Sequence, residues 1–359
     1  MDHEHDNGNG AASRGISIDT QFWVKIAISI GIAVFFGYLV HEQGVRLVPR
    51  ASDMSIVLGN WPGISAFVVS LIIVHVLRAY RWIYLLRPFS RSEIDLAHMI
   101  AVAFVGFFAI MALPLRTGEI ARPYLISVRG HVTVSSAFGT IAVERALDGL
   151  VLSAVLTLCF LVLPLDRADQ SWARPTGVAT FGIFVLATLF LVLLIVMGET
   201  LITRLERLLA TVWPRVAHKL ADILRDFLNG LSSLREMKHL VPFMAMTLVY
   251  WGVNGIGMWV LARSCGLGIS VIGGFTVMTM LGVGILLPTG PGHFGNFQVS
   301  VWLALSLLGV SEEIINSNGS VYIFMLYLLI LLTTVGAGVV SLLTRHVSLR
   351  RETTPREGT

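Results

Sequence analysis

The sequence predicts an all-α polytopic membrane protein with about six full transmembrane helices and two re-entrant helical hairpins of opposite orientation. The first observation is composition: of 359 residues, 55% are hydrophobic and 13% are charged, with a mean hydropathy of +0.77. The second is a series of apolar runs of about 20 residues, the length that crosses a bilayer. The third is a pair of apolar runs that end abruptly at proline and glycine, as broken membrane helices do.

Composition also limits the function classes. The net charge of +4 comes from basic residues in loops and at span ends, so positive-inside orientation explains it better than nucleic-acid binding. Cys159 and Cys265 lie in apolar runs and predict neither a disulfide nor a metal site. No nucleotide loop, zinc motif or catalytic triad is visible, so we expect no enzyme, no cofactor and no metal.

The apolar runs divide the chain in order. Residues 1–20 are predicted to be a disordered cytoplasmic tail, 21–346 a single transmembrane domain and 347–359 a second cytoplasmic tail. Full spans are predicted over residues 22–40, 64–86, 134–163, 178–197, 241–262 and 321–343. Within the domain, basic and apolar residues alternate over residues 199–239, which predicts a cytoplasmic amphipathic segment. That segment fits a membrane-surface helix and a helix packed on a partner helix equally well.

Charge parity predicts the hairpins. If the basic segment 199–239 is inside, residues 116–133 are also inside, and so by its charge is the arginine-rich segment 78–91. Segment 96–128 must then enter and leave from the inside. A basic C-terminal tail inside likewise requires segment 271–308 to be a hairpin that dips in from outside. Both termini are then cytoplasmic, in the cell membrane. If both segments crossed fully, one basic cluster would face outside.

The two broken segments, one in each half and opposite in orientation, are typical of inverted-repeat transporters with a site near the midplane. The halves show no strong sequence similarity to each other, so the repeat is a structural conjecture. The first break contains Pro114, Arg116, Gly118, Glu119 and Arg122. The second break reads PTGPGHFGNF from Pro288 to Phe297.

A charged constellation lies in the fourth span. Glu144 and Asp148 are four residues apart and share a helix face, and Arg145 can pair with Asp148 three residues away. Mid-membrane charges cost about 2.5 to 3.5 kcal/mol each, so they need partners. Asp148 lies about 26 Å of helix from the outer end of the span, which places it toward the inner leaflet. The charges either form an interfacial ion pair that fixes packing or, as we favour, join Arg116, Glu119 and Arg122 at an inward cavity.

Arginine suits a lipid phosphate because its planar fork donates two hydrogen bonds, which makes Arg116, Arg122 and Arg145 candidates. Arg78 and Arg81 could join them at the phosphate, but we favour the interpretation that they are positive-inside anchors whose side chains snorkel. In the second break, His293 is more readily a polar lining residue than a proton sensor. Gln298 is either a lining residue or a span-end residue, and exposed amides of the break could bind an anion.

These motifs resemble a known family. The pattern consists of Pro114, Arg116, Gly118, Glu119 and Arg122, then Glu144, Arg145 and Asp148, then Pro288, Pro291, Gly292, Gly295 and Phe297. It resembles the lysylphosphatidylglycerol synthase transmembrane region, a flippase-like family of integral membrane proteins. The resemblance implies a protein that handles phospholipids or polyprenyl lipids, and in the best-known members a flippase for aminoacylated phosphatidylglycerol.

This chain departs from the family in two respects. The aminoacyl-transferring members carry a soluble synthase domain, and this chain ends at Thr359, so we do not expect it to make lysylphosphatidylglycerol. Many members have glycine and glutamate where this chain has His293 and Gln298. This chain therefore has no carboxylate at the point where those members have one.

The sequence therefore predicts a lipid translocator that moves an anionic phospho- or polyprenyl-lipid headgroup across a bacterial-type inner membrane. Its predicted substrate-binding residues are Arg116, Glu119, Arg122, Glu144, Arg145, Asp148, Pro291, Gly292, His293, Gly295 and Gln298. The alternatives are a membrane-embedded enzyme or accessory subunit in glycolipid or aminoacyl-lipid synthesis, and a non-transporting scaffold. The predicted partners are the bilayer and an anionic lipid, with no nucleic acid. A homo-oligomer and a synthase partner both stay open.

Overall fold

The computed structural model describes most of the chain as helix. It describes positions 30–31, 34–35 and 38, and residues 49–344 apart from 51–52, 54, 91–94, 114–117, 129–131, 166–169, 212 and 287–290. Within this part of the chain there is no β-strand. The predicted first span over residues 22–40 and the two predicted tails fall largely or wholly outside the described residues, as does Arg116.

The α-helices follow in chain order. They are α1 (Ser55–Gly59), α2 (Trp61–Tyr80), α3 (Trp82–Leu86), α4 (Leu96–Ala112), α5 (Ala121–Ser127), α6 (Val134–Val162), α7 (Ala173–Ala210), α8 (Pro214–Leu231), α9 (Met237–Ser264), α10 (Val271–Gly284), α11 (Asn296–Leu307), α12 (Glu312–Ile314) and α13 (Ser320–Leu343). Short 3₁₀ turns at Arg87–Phe89, Ser232–Leu234 and Pro291–His293 and a π-helical turn at Ile315–Gly319 connect some of them.

Five helical stretches of the described chain are long and apolar enough to cross a membrane. They are Trp61–Leu86, α6, α7, α9 and Glu312–Leu343, and they contain the predicted spans 64–86, 134–163, 178–197, 241–262 and 321–343 to within one residue. Helices α4, α10 and α11 are shorter, with 17, 14 and 12 residues. These are the elements for which the sequence predicted hairpins.

Side-chain caps fix where several helices begin. The Asp95 carboxylate accepts a hydrogen bond from the Ala97 amide at the start of α4. The Thr133 hydroxyl does the same for the Ser136 amide at α6, and the Ser270 hydroxyl for the Gly273 amide at α10. Each cap satisfies an amide that has no partner inside its own helix.

Helix α7 extends past the predicted span. Its 38 residues give about 57 Å of helix, against about 30 Å for the hydrocarbon core. Its last turns pair with α8, where Arg225 donates to the Glu206 carboxylate at 2.7 Å. That hydrogen bond raises the pKa of the Arg225 guanidinium above its ordinary value, so Arg225 stays charged where α8 meets the last turns of α7.

Helix α8 packs on protein rather than lying alone on a surface. Its buried residues Ala217, Ala221, Gly230 and Leu231 form one side, and the helix contacts both α6 and α7. Packing on partner helices therefore accounts for the inner face of the predicted amphipathic segment. The outer face exposes Val216 and Ile223.

Two glycines set the distance between α6 and α8. A Cβ added at Gly139 would lie 2.4 Å from the Phe227 carbonyl oxygen and 2.9 Å from the Gly230 Cα. The backbones touch here, as they do where small residues line helix contacts in membranes.

We therefore expect Gly139→Ala to weaken the fold. Its methyl group has no space against the backbone of α8, and overpacking of this kind costs about 1–3 kcal/mol. Unfolding in detergent, followed by circular dichroism, measures the loss. Gly182→Ala on α7 is the matched control, because nothing lies within 4 Å of a Cβ at that position. Equal stability of the two variants would contradict the close packing of α6 and α8.

Candidate functional site

A buried ion pair joins the end of α2 to the middle of α6. Arg81 Nη1 and Nη2 donate to the two carboxylate oxygens of Asp148, each at 2.6 Å. Arg81 Nη1 also donates to the Thr247 hydroxyl of α9 at 2.7 Å, and that hydroxyl donates to the Phe243 carbonyl. Arg81 is 0% exposed, so three helices are tied together by one guanidinium.

This contact corrects two interpretations made from the sequence. Arg81 was expected to be an anchor that snorkels to the interface, and that interpretation is wrong because the whole side chain is buried. The spacing within α6 suggested that Arg145 pairs with Asp148. Instead Asp148 binds Arg81, and Arg145 Nη2 donates to Glu144 Oε1 at 2.8 Å.

A second buried pair joins α5 to α6. Arg122 Nη1 and Nη2 donate to Glu144 Oε1 and Oε2 at 3.2 and 3.1 Å. Arg81 Nη2 lies 3.6 Å from the same Glu144 carboxylate, which links the two pairs. The predicted association of Arg122 with Glu144 is therefore present. We call Arg81, Arg122, Glu144 and Asp148 the ion-pair frame.

Aromatic rings cover the arginines of the frame. The Arg122 guanidinium lies 4.3 Å from the centre of the Trp82 ring and 5.1 Å from that of Phe107. Arg81 lies 4.9 Å from the Tyr250 ring and 5.0 Å from the Phe243 ring. Such contacts stabilise a cation most where water is excluded, which is the case here.

Glycines make room for this arrangement. A Cβ at Gly106 of α4 would lie 2.0 Å from Cγ of Arg122, so only glycine leaves the arginine stem its path. At Gly118 a Cβ would lie 2.1 Å from the carbonyl carbon of Ala109. The chain after the first break therefore packs directly on the backbone of α4.

Beside the frame is a cavity of about 170 Å³. Its polar lining includes Arg78 of α2, Arg145 and Asp148 of α6, and His293 of the second break. Apolar and aromatic residues complete it, among them Phe107 of α4, Trp251 of α9 and Ile285 after α10. The ends of both predicted hairpins therefore reach the same cavity.

Three residues of the cavity wall each carry a buried N–H that is unpaired within the described part of the chain. These are Arg78 Nε, Arg145 Nε and Trp251 Nε1. Arg78 stacks on Phe107, with its guanidinium 4.0 Å from the ring centre. A buried donor without a partner costs free energy.

The second break forms a tight turn before α11. Gly292 and Gly295 have φ values of 69° and 84°, and His293 between them has φ 58°. The left-handed conformation is open to glycine but costs other residues roughly 1–2 kcal/mol. His293 is the one described residue other than glycine with a positive φ.

The remaining predicted residues have varied positions. Glu119 is partly exposed and interacts electrostatically with Arg145, so it belongs to the same region. Gln298 is buried and its side-chain oxygen accepts from the Gly295 amide at 2.7 Å, which closes the turn rather than lining the cavity. Pro291 begins the 3₁₀ turn.

Sequence reasoning ranked two residues of the site too low and missed others. Arg78 and Arg81 are three apart at the end of α2, and an arginine pair with no acidic neighbour on its own helix was a usable signal for distant carboxylates. Thr247, Tyr250 and Trp251 carry no such signal, because their role comes only from the packing of α9 on α2. Among the described residues, no group of three or more His, Cys, Asp or Glu side chains is arranged to hold a metal ion.

The fold and site thus define a helical membrane protein with a buried arginine–carboxylate cluster beside a cavity. The family model of the lysylphosphatidylglycerol synthase transmembrane region matches residues 22–336, and the chain belongs to that family. No curated protein and no solved structure matches it. Membership of this family indicates a membrane protein related to lipid synthesis or flipping.

We expect Asp148→Asn to destabilise the protein strongly. It leaves the Arg81 charge buried without its carboxylate, and breaking such a pair costs about 3–5 kcal/mol. The double variant Arg81→Met, Asp148→Leu removes both charges. Its free energy of unfolding should therefore fall less than that of Asp148→Asn alone. Chemical unfolding in detergent measures both variants.

The control for this cycle is Glu206→Gln, which removes one partner of the pair with Arg225 outside the core. Solvent screens that pair, so its loss should be small. If Asp148→Asn and Glu206→Gln lose equal stability, Arg81 does not depend on Asp148.

Proposed function

We propose that this protein is a lipid translocator in which the cavity binds the phosphate of an anionic phospho- or polyprenyl-lipid headgroup. The observation that carries the proposal is the set of unused donors at Arg78, Arg145 and Trp251. All three are N–H groups, and a phosphate offers only acceptors to them. Guanidinium groups match its oxygens in both charge and geometry.

The charge balance supports an anion. Four arginines of the described chain, at positions 78, 81, 122 and 145, meet at this site. Glu144 and Asp148 bind three of them directly, and Glu119 is nearby. Four positive against three negative charges leaves a surplus of one, and Arg78 forms no ion pair within the described residues. In a low-dielectric site this surplus attracts an anion more strongly than it does in water.

The short helices support the two re-entrant hairpins. Helix α10 is about 21 Å long and α11 about 18 Å, and both are shorter than the hydrocarbon core of about 30 Å. They pack against each other, as do α4 and α5. In the proposal, the α4–α5 hairpin enters from the cytoplasm and the α10–α11 hairpin from outside, and their tips control access to the cavity.

In this proposal the lipid crosses unchanged, without a covalent step. The principal alternative is an enzyme or accessory subunit in glycolipid or aminoacyl-lipid synthesis. The two functions differ in their product, so mass spectrometry of the recovered lipid distinguishes them. A covalently modified lipid produced by the purified protein would overturn the transport proposal.

The transport test uses proteoliposomes with a fluorescent phosphatidylglycerol whose outer-leaflet label is bleached by dithionite. We expect the wild-type protein to expose inner-leaflet label to the reagent. Arg78→Gln and Arg145→Gln should slow this roughly tenfold or more, because each removes a charged hydrogen bond worth about 1.5–3 kcal/mol. Circular dichroism and detergent stability verify that each variant is folded.

Arg263→Gln is the matched control, since Arg263 is an exposed arginine at the end of α9 and is absent from the cavity wall. It should transport at the wild-type rate. If all three variants transport equally, the cavity arginines do not bind the lipid. If the wild-type protein moves no lipid, the translocator proposal fails.

A topology test addresses the hairpins. We expect a cysteine at Ser127 to react with a membrane-impermeant maleimide only from the cytoplasmic side, and one at Ser311 only from outside. Cys159 and Cys265 are buried, so the native thiols give little background. Full crossing of α4 or of α10 would move the corresponding label to the opposite side. A cysteine at Arg235 provides the cytoplasmic reference.

A further inference from the structure

The turn between α10 and α11 places a histidine in a conformation that favours glycine. Gly292, His293 and Gly295 all have positive φ, and the two glycines fit this requirement without strain. A strained residue persists where the surrounding structure holds it, and such residues cluster at ligand sites. The imidazole is thus retained at a position where glycine would fit the backbone better.

The position of the side chain suggests what it contributes. His293 lines the same cavity as Arg78 and Arg145, which hold the unused donors. Among the described residues of that wall, His293 is also the only one of a type whose charge ordinarily changes between about pH 5 and pH 8. Arginine, aspartate and tyrosine, the other ionisable residue types of that wall, have ordinary pKa values outside that range.

We propose that His293 is a specificity-determining contact for the lipid headgroup. As an imidazolium its side chain binds the phosphate, so headgroup affinity rises as pH falls. This inference rests on the proposed function of the cavity. A protonated imidazole adds one positive charge and one N–H donor to a wall that already favours acceptors. By linkage, a bound anion favours the imidazolium to the same extent that the imidazolium favours the anion.

The charged and polar groups that share the cavity with His293 come from several helices. Arg78 lies on α2, Arg145 and Asp148 on α6, and Tyr250 on α9. The Tyr327 hydroxyl of α13 lies 2.8 Å from where a Cβ of Gly292 would be. The cavity residues of α4 and α10 are apolar or glycine, including Ile110 and Gly282. Asp148 is already bound at both oxygens by Arg81.

Binding of a soluble short-chain phosphatidylglycerol to the purified full chain tests the inference. Its phosphodiester has no second ionisation, whereas a phosphomonoester changes charge near about pH 6. Any pH dependence then reports on the protein. Isothermal titration calorimetry at pH 5.5 and pH 8 should show wild-type affinity about tenfold higher at the lower pH, as expected for one added charge nearby.

His293→Gly is the central variant, because glycine suits the left-handed backbone. We expect it to unfold no more easily than the wild-type protein, and its affinity for the lipid should not rise between pH 8 and pH 5.5. His293→Asn should behave in the same way, since asparagine tolerates this conformation and stays neutral.

Two other histidines provide controls. His75 bonds to Thr334, which lines the cavity, with 3.1 Å between His75 Nε2 and Thr334 Oγ1. His218 lies on α8 and pairs with Glu206. His218→Gln should keep the wild-type pH dependence. If His75→Gln abolishes it while His293→Gly retains it, the assignment to His293 is wrong.

The outcomes separate the inference from the proposed function. Wild-type binding that is equal at both pH values overturns the role of His293 and leaves the anion site standing. The role of His293 is also overturned, and the anion site kept, if the binding of His293→Gly rises at low pH as much as that of the wild-type protein. No binding of phosphatidylglycerol at either pH overturns both the proposed function and this inference.

Discussion

The bidentate pair between Arg81 and Asp148 is the contact on which the rest of the site depends. Burial of either charge alone would be very unfavourable, so α2 and α6 can take their positions only together. Thr247 extends the contact to α9, and Glu144 extends it through Arg122 to α5. The arginines of the frame bind both of its carboxylates, and Arg78 and Arg145 beside it each keep an Nε that is unpaired among the described residues.

The helices were largely predictable because the local amino-acid composition determines which segments enter the membrane. An apolar run of about 20 residues identifies a span whatever it packs against, and the predicted spans from residue 64 onward lie in the long helices. The length of α7 was not predictable in this way. Its last turns are amphipathic and helical because α8 packs on them, which is a tertiary effect. Local hydropathy ends the span at residue 197, and the helix continues to Ala210.

The site was predictable only in part, for a related reason. Arg122 and Glu144 were expected to meet because both stood out as charges in or beside apolar segments. Arg81 was assigned to the interface because arginines at span ends usually snorkel. Its partner Asp148 is 67 residues away in sequence, and no local pattern shows which of two nearby arginines a distant carboxylate will bind. The left-handed φ of His293 was equally invisible, because glycine and proline predict a turn but not its dihedral angles.

The frame also indicates where a transport cycle could change shape. Opening a buried pair leaves two unpaired charges, which costs several kcal/mol, so the contacts of Arg81 and Arg122 are poor candidates for moving parts. The turn before α11 is held by weaker contacts: the Asn296 amide donates to the Gly284 carbonyl, and Gln298 accepts from the Gly295 amide. These are neutral hydrogen bonds, worth about 0.5–1.5 kcal/mol each. In the proposed translocator, the arginines therefore supply fixed affinity for the headgroup, and the turn that carries His293 supplies the change in access.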